Sequence, residues 1–293
     1  MKISCVIVNY NDADTTIEQL DRICGYSSLD SIIVVDNCSD DGSFQKLKEH
    51  VGGHIMLVRS KHNGGYGSGN NLGVRYAKEM LGATHVLIAN PDTVFTDECV
   101  EHMAKVMEEH RELGAIAPVM VNGSGEGVAG VSPAWPLRSW VHELLETGPV
   151  CRRLFRRLLQ YPKGYLEGRE AAYVGAVPGS LLMVDARKMM ECGGYDEEVF
   201  LYGEENILGW NMRSAGYKTA LLVSETYEHR HAVSISKSYK GIADRQKLRH
   251  KSTMQYFQYY LGISGLQTLM TKVFFGIVMA EIWFCHNVLK MNW

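Results

Sequence analysis

Proline is scarce, 7 in 293 residues, which excludes collagen-like and proline-rich low-complexity chains. Neither sign of charge dominates: 30 Lys and Arg stand against 33 Asp and Glu, a net charge of −3. That balance argues against a dedicated nucleic-acid binder. No two of the seven cysteines have Cys-x-x-Cys spacing, so zinc-ribbon and thioredoxin-type patterns are missing. An odd set of scattered cysteines (5, 24, 38, 99, 151, 192 and 285) reads as reduced thiols and a cytoplasmic chain. Long apolar runs are lacking too. The opening run, residues 3–8, is too short for a signal peptide and is followed at once by Asn9, Asn11 and Asp12. The best candidate for a membrane span, residues 273–289, is broken or bounded by Lys272, Glu281, His286 and Lys290. It is expected to be too short to span, and to pack on the body or lie on a membrane surface. What remains, 46% apolar and 22% charged residues, suits one large globular domain or two small ones.

Short β-branched runs alternate with helical patterns. Strands are expected at 3–8, 31–35, 54–58, 84–89, 114–121, 174–184 and 218–223. Helices are expected at 15–25, with Asp14 as cap, and at 43–50, 70–81 and 97–111. A segment starting as a loop at 200 becomes a helix ending at Gly216, and helices follow residue 234. This order predicts an α/β fold with a doubly wound, mostly parallel sheet flanked by helices. In such sheets ligands bind beyond the carboxyl ends of the strands. Asn9, Asp36, Asn90 and Asp92 fall at those ends.

Each candidate pattern also has an ordinary structural use. Asn90-Pro91-Asp92 presents oxygen ligands suited to Mg²⁺ or Mn²⁺, or makes an Asx-Pro turn. Asp36 sits where an acid can meet a nucleotide base or ribose, or caps a loop. Residues 63–69 hold four glycines and precede a helix, so they can aim amides at an anion, or simply form a flexible loop. No Gly-Lys-Ser/Thr follows them, which excludes a Walker loop. Glu204-Glu205 offers a general base with a raised pKa, or acids favoured at a helix start. His229 and His231 follow the seventh strand after a short loop, as ligands or as satisfied structural residues.

In chain order these patterns resemble the family 2 glycosyltransferases of the GT-A fold. The resemblance runs from Val6-Ile7-Val8-Asn9-Tyr10-Asn11 through Asp36–Ser43, Asn63–Gly73, Asn90-Pro91-Asp92 and Gly193–Glu197 to Tyr202-Gly203-Glu204-Glu205 and His229 with Ser234. Within that family it is most similar to bacterial rhamnosyltransferases of surface-polysaccharide synthesis, over residues 1–235. The resemblance implies a nucleotide-sugar pocket lined by Asn9, Asn11, Asp36, Asn63, Gly65, Asn70 and Asn90. It implies a divalent cation, Mg²⁺ or Mn²⁺, held by Asp92 and His229. The first acid of the family's Asp-x-Asp is Asn90 here, which lessens the charge offered to the metal. Glu205 occupies the place of the general base, beside Glu204, and is longer than the commoner Asp.

The activity so implied is an inverting, metal-dependent transfer of a sugar, rhamnose from dTDP-rhamnose, to a hydroxyl of a glycan or polyprenyl-diphosphate-linked acceptor. Residues 1–234 would form the catalytic domain, and 235–293 a helical extension for acceptor, membrane or dimer contacts. Basic residues at 152–157 and 237–251 beside the apolar 266–293 suit anionic headgroups or the carrier's diphosphate at the inner membrane face. Other readings stay open: a UDP-sugar-dependent galactofuranosyl, glucosyl or N-acetylhexosaminyl transferase, or a non-catalytic sugar-nucleotide-binding protein. A nucleotidyltransferase would need a basic glycine-rich loop after the first strand, and none is present.

Overall fold

The computed structural model describes residues 1–127, 132–162, 164–230, 241–288 and 290. The first half alternates as expected: β1 (Ile3–Asn9), α1 (Ala13–Ile23), β2 (Ser31–Asp36), α2 (Ser43–Lys48), β3 (Ile55–Arg59), α3 (Gly65–Leu81) and β4 (His85–Ala89). Then come β5 (Thr93–Val94), α4 (Asp97–Glu109), β6 (Leu113–Val121), α5 (Trp140–Thr147), α6 (Pro149–Leu154), β7 (Ala171–Val174), β8 (Leu181–Asp185) and α7 (Ala186–Glu191). The chain closes with α8 (Glu204–Ser214), β9 (Lys218–His229), α9 (Ile242–Gln255) and α10 (Gly265–Asn287).

Nine strands form one sheet in the order β3-β2-β1-β4-β8-β6-β9-β5, with β7 also paired to β9. The β3, β2, β1 and β4 strands run parallel. All six residues of β2 are buried, as an apolar strand covered on both faces requires. β8 runs antiparallel to both β4 and β6. One face of the sheet packs residues such as Ile7, Ile32 and Leu87 beneath α1 and α4. The other packs Val6, Ile33 and Ile88 beneath α3 and α8.

Several local expectations change. Asp12, not Asp14, stands at the N-cap of α1. The run expected as one strand over 174–184 is two, because Gly175–Ser180 leaves the sheet to border the cleft described below. The final strand extends to His229, since β5 and the far end of β6 pair with it beyond a bulge between Pro118 and Val119.

The glycine-rich segment is mostly helix, not loop: α3 starts at Gly65. Its glycines let the helix press on the sheet. A Cβ at Gly73 would stand 2.4 Å from Val6 Cγ1. Gly65 lies at φ +86°, and a Cβ there would fall 2.1 Å from the Phe200 carbonyl oxygen. The Tyr66 N–H donates to that same oxygen at 3.1 Å. α3 is thereby seated against the loop that leads into Glu204-Glu205.

α10 has 23 residues and is, by length and composition, apolar enough to cross a membrane. The expectation of a run too short to span is corrected: the helix begins at Gly265, well before Val273, and only 28% of its most apolar window is buried. Its inner stripe, Thr271, Phe275, Val278, Ile282 and Cys285, repeats at helical spacing. Phe275 stacks on His250 of α9, and Thr271 accepts from Trp140 Nε1 of α5 at 2.9 Å. Leu266, Leu269, Met270, Val273, Ile277 and Trp283 face outward, exposed. The boundary expected at 234/235, and His231, Ser234, Lys237 and Lys240, lie outside the described residues.

Candidate functional site

A cleft of about 1440 Å³ opens at the carboxyl ends of β1 and β4. Asn11, Asn63, Gly65, Asn90, Asp92, Glu204, Glu205 and His229 all line it. Residues from 8 to 253 in the chain therefore meet in one place because parallel strands end on one edge.

Asn9, Asp36 and Asn70 are placed differently. They are buried behind the wall of the cleft and are absent from its lining. Asn9 and Asp36 are register partners at the ends of β1 and β2. Asn9 Nδ2 donates to Asp36 Oδ1 at 3.1 Å and to Ser39 Oγ at 3.2 Å. The Ser39 N–H donates to Asp36 Oδ2, and Arg59 Nε stands 3.6 Å from it. The pair shapes the 37–41 loop, which in turn holds Asn11: Ser39 Oγ accepts from the Asn11 N–H, and Asp40 Oδ1 accepts from Asn11 Nδ2 at 2.8 Å. Asn70 donates along its own helix to the Tyr66 carbonyl. Asn63 Oδ1 accepts from the Gly65 N–H and from Asn37 Nδ2, each at 3.0 Å.

Asp92 and His229 come together through β5. Thr93 is the register partner of His229, so Asp92 stands beside the histidine ring, with Nε2 3.1 Å from Oδ1. The donor set is one carboxylate oxygen and one imidazole nitrogen, with no third His, Cys, Asp or Glu grouped with them among the described residues. Such a pair could hold a divalent cation that completes its shell with phosphate oxygens.

Glu204 and Glu205 open α8 behind two consecutive left-handed residues, Tyr202 at φ +75° and Gly203 at φ +86°. A tyrosine in that region is strained, by about 1–3 kcal/mol, and strain of this kind gathers at functional sites. Burial pushes both carboxyls above the usual range, and the charge of Glu205 raises Glu204 further. The two differ in their surroundings. Glu204 is 3% exposed and its Oε1 has no hydrogen-bond partner among the described residues. Glu205 has the Gly179 backbone N–H and the charge of Arg249 favouring its anion. The two carboxyls are coupled and titrate as a pair, each raised by burial. Tyr66 packs on the same spot, its hydroxyl donating to the Gly179 carbonyl.

The opposite wall was not foreseen. Trp135 and Asn206 are joined at 2.7 Å, and Asn206 Nδ2 donates to Glu143 Oε2 at 3.1 Å. Burial lifts Glu143 to about 7, against the pull of Arg249 and Arg138. Arg138 is 7% exposed, and its Nε and Nη1 have no hydrogen-bond partner among the described residues. An unmade bond at a buried donor costs on the order of 1–3 kcal/mol, and more where the donor is charged. Arg138 precedes the N-cap of α5 and Glu143 lies on its buried face, and no motif in the sequence marks either residue. The basic run 152–157 was visible, and it forms α6 and a following tight turn with Arg152, Arg153 and Arg156 on the cleft.

The family model described as Glycosyl transferase family 2 matches residues 4–161, over half of the chain. An N-acetylglucosaminyl-diphospho-decaprenol L-rhamnosyltransferase of Mycobacterium tuberculosis is 25% identical over 247 residues, covering 76% of this chain and 73% of that protein. The low-salt glycan biosynthesis hexosyltransferase Agl10 of Haloferax volcanii is 27% identical over 205 residues, covering 69% of this chain and 59% of that protein. Among solved structures, GalNAc-T7 with UDP, GalNAc and Mn²⁺ aligns with a TM-score of 0.60 at 14% identity, over 99% of this chain. This chain spans 57% of the length of that structure. The mannosyltransferase PcManGT from Pyrobaculum calidifontis, in complex with GDP-Man and Mn²⁺, aligns at 0.59 and 15% identity, over 98% of this chain and 75% of that one. At such identities the structures speak for the fold alone, and the fold is GT-A, a mixed central sheet flanked by helices.

Proposed function

The chain belongs to glycosyl transferase family 2, and from that premise we propose that it moves rhamnose from dTDP-rhamnose to a hydroxyl of a lipid-linked glycan, with inversion. The observation that carries this reading is the meeting of Glu205 and the Asp92–His229 pair in one cleft at the strand ends. The choice of sugar and of acceptor leans on the M. tuberculosis relative.

Glu205 accepts the proton of the acceptor hydroxyl as that oxygen attacks the anomeric carbon. The diphosphate leaves from the opposite face, so one displacement inverts the centre. A raised pKa brings the base nearer to neutral, where proton transfer is best matched. Glu204 stands beside it, its carboxyl raised by burial and by the charge of Glu205. Asp92 and His229 would hold a divalent cation, and bound there it would offset charge growing on the leaving diphosphate. Asn11, Asn63 and Gly65 offer polar groups to the nucleotide side. Outward apolar residues of α10 support peripheral contact with the inner membrane face, where a lipid-linked acceptor resides.

A donor screen by thermal shift tests the reading, using dTDP-rhamnose, UDP-sugars and GDP-sugars, each with and without Mn²⁺. A ligand that binds only the folded state raises Tm. A metal-dependent rise with dTDP-rhamnose alone is expected; a rise only with a UDP-sugar moves the function to another donor.

A further inference from the structure

One wall of the cleft carries more positive charge than the protein itself neutralises. Glu146 is shared by three guanidinium groups: Arg138 at 3.5 Å, Arg249 at 3.8 Å and Arg152 at 4.0 Å. Burial disfavours the anion of Glu143, the other carboxyl on this wall, and lifts its pKa to about 7. Arg153 and Arg156 also face the cleft and make no ion pair among the described residues. Burial, and then the charge of Arg249, hold Arg152 below the ordinary guanidinium range, against the pull of Glu146. Arg138 is the most telling of them: it is more than nine-tenths buried, it lines the cleft, and its Nε and Nη1 have no hydrogen-bond partner among the described residues. A buried guanidinium with unused donors is matched by a bidentate oxyanion, and phosphate has that geometry.

The wall is built by the approach to α5, by α6 and by α9, none of which supplies a residue to the Asn11, Asn63, Asn90 and Asp92 side. It lies close enough to the base for the charge of Arg249 to act on Glu205. The same short segment that turns Arg152, Arg153 and Arg156 to the cleft leaves Leu154, Phe155 and Leu158 exposed, at 72%, 41% and 59%. Arginine pairs and apolar side chains thus alternate along the seven residues from Arg152 to Leu158.

We propose that Arg138, Arg152 and Arg156 form a second anion subsite, separate from the donor's, that grips the diphosphate of an amphiphilic acceptor while Leu154 and Leu158 meet its apolar tail. That the diphosphate belongs to the acceptor rests on the transferase reading above; the anion subsite itself rests on the arginines alone. The subsite fixes the acceptor sugar beside Glu205, and a neutral glycan lacking the diphosphate would be held poorly.

The test is calorimetric titration of the full chain in EDTA, which removes any cation bridge to Asp92 and His229. The probes are inorganic pyrophosphate and farnesyl diphosphate. Pyrophosphate is expected to bind wild type and D92N alike, and at least tenfold more weakly to the R152Q/R156Q variant. R138K, which keeps the charge and the fold but loses the fork, is expected to weaken binding severalfold. Farnesyl diphosphate is expected to bind at least tenfold tighter than pyrophosphate, with the gain lost in L154S/L158S. No binding by wild type, equal binding by R152Q/R156Q, or loss in D92N overturns the subsite. Equal affinity for the two probes overturns the acceptor assignment and leaves a site for free phosphate. If instead the transferase reading fails, no donor supports turnover, while the response of the isotherms to the arginine variants persists.

Discussion

His229 Nε2 stands 3.1 Å from Asp92 Oδ1, although 137 residues separate them in the chain. Two residues of β5 achieve this, by pairing Thr93 with His229 at the last position of β9. The short strand fixes the geometry of the proposed cation site, so the site is as rigid as the sheet edge that carries it.

Removing either partner is expected to weaken cation binding without unfolding the protein. H229A and D92N should each lower Mn²⁺ affinity, in the presence of a nucleoside diphosphate, by at least about tenfold to a hundredfold, the loss typical when only an outer-shell partner of a ligand is removed. Titration of the Mn²⁺ electron paramagnetic resonance signal reads this directly. Unchanged affinity in both variants would remove the cation from this pair.

How far the sequence reaches is visible in the same pair. Asp92 is legible as a carboxylate just past an apolar strand, and β1, β2 and β4 fall within a residue or two of their expected bounds. His229 was placed after a strand and a loop, because residues 224–229 lack the apolar alternation that marks a strand. Those residues are strand through partners, β5 and the far end of β6, that local sequence does not display. The glycines of α3 read as a flexible loop because glycine disfavours helices, and tight packing on Val6 and Val8 overrides that preference. Arg138 and Glu143 gain their character from burial alone, which no spacing foretells.

Glu143 makes stability depend on pH. Its folded pKa, about 7, lies above its ordinary value of 4.5. A raised carboxyl contributes fully below the unfolded value, and that contribution is lost as pH rises through the folded one. Between about pH 4.5 and 7, wild type should therefore lose up to roughly 3 kcal/mol relative to E143Q. His250 titrates with the opposite sign, held down to about 4 by burial, but it is common to both proteins. Urea unfolding of the two across pH 5–8 measures the difference; parallel profiles would contradict the buried-acid account.

Gly65→Ala tests the seating of α3 against the catalytic loop. A side chain at φ +86° with its Cβ 2.1 Å from the Phe200 oxygen is strained and clashes. A loss of about 2 kcal/mol or more is expected, a fall in Tm of roughly 4–8 °C for a chain of this size. Scanning calorimetry would show it. A neutral substitution would mean that α3 does not press on the loop.

The outward face of α10 is expected to bind bilayers. Full chain should float with liposomes containing anionic lipid, and L266E/L269E/V273E should stay at the bottom of the gradient while remaining folded by circular dichroism. Flotation that is equal for both, or absent for wild type, would assign that face elsewhere; a dimer sensitive to the same variant would identify a second copy as its cover.

The central claim is that Glu205 is the base, and single-turnover kinetics of E205Q against wild type tests it most directly. The amide keeps the shape and loses the proton acceptor, so transfer from the donor found in the thermal-shift screen should fall by about 10³-fold, within the range expected for a lost general base. Donor affinity should stay within twofold. Transfer at the wild-type rate in E205Q would contradict the account.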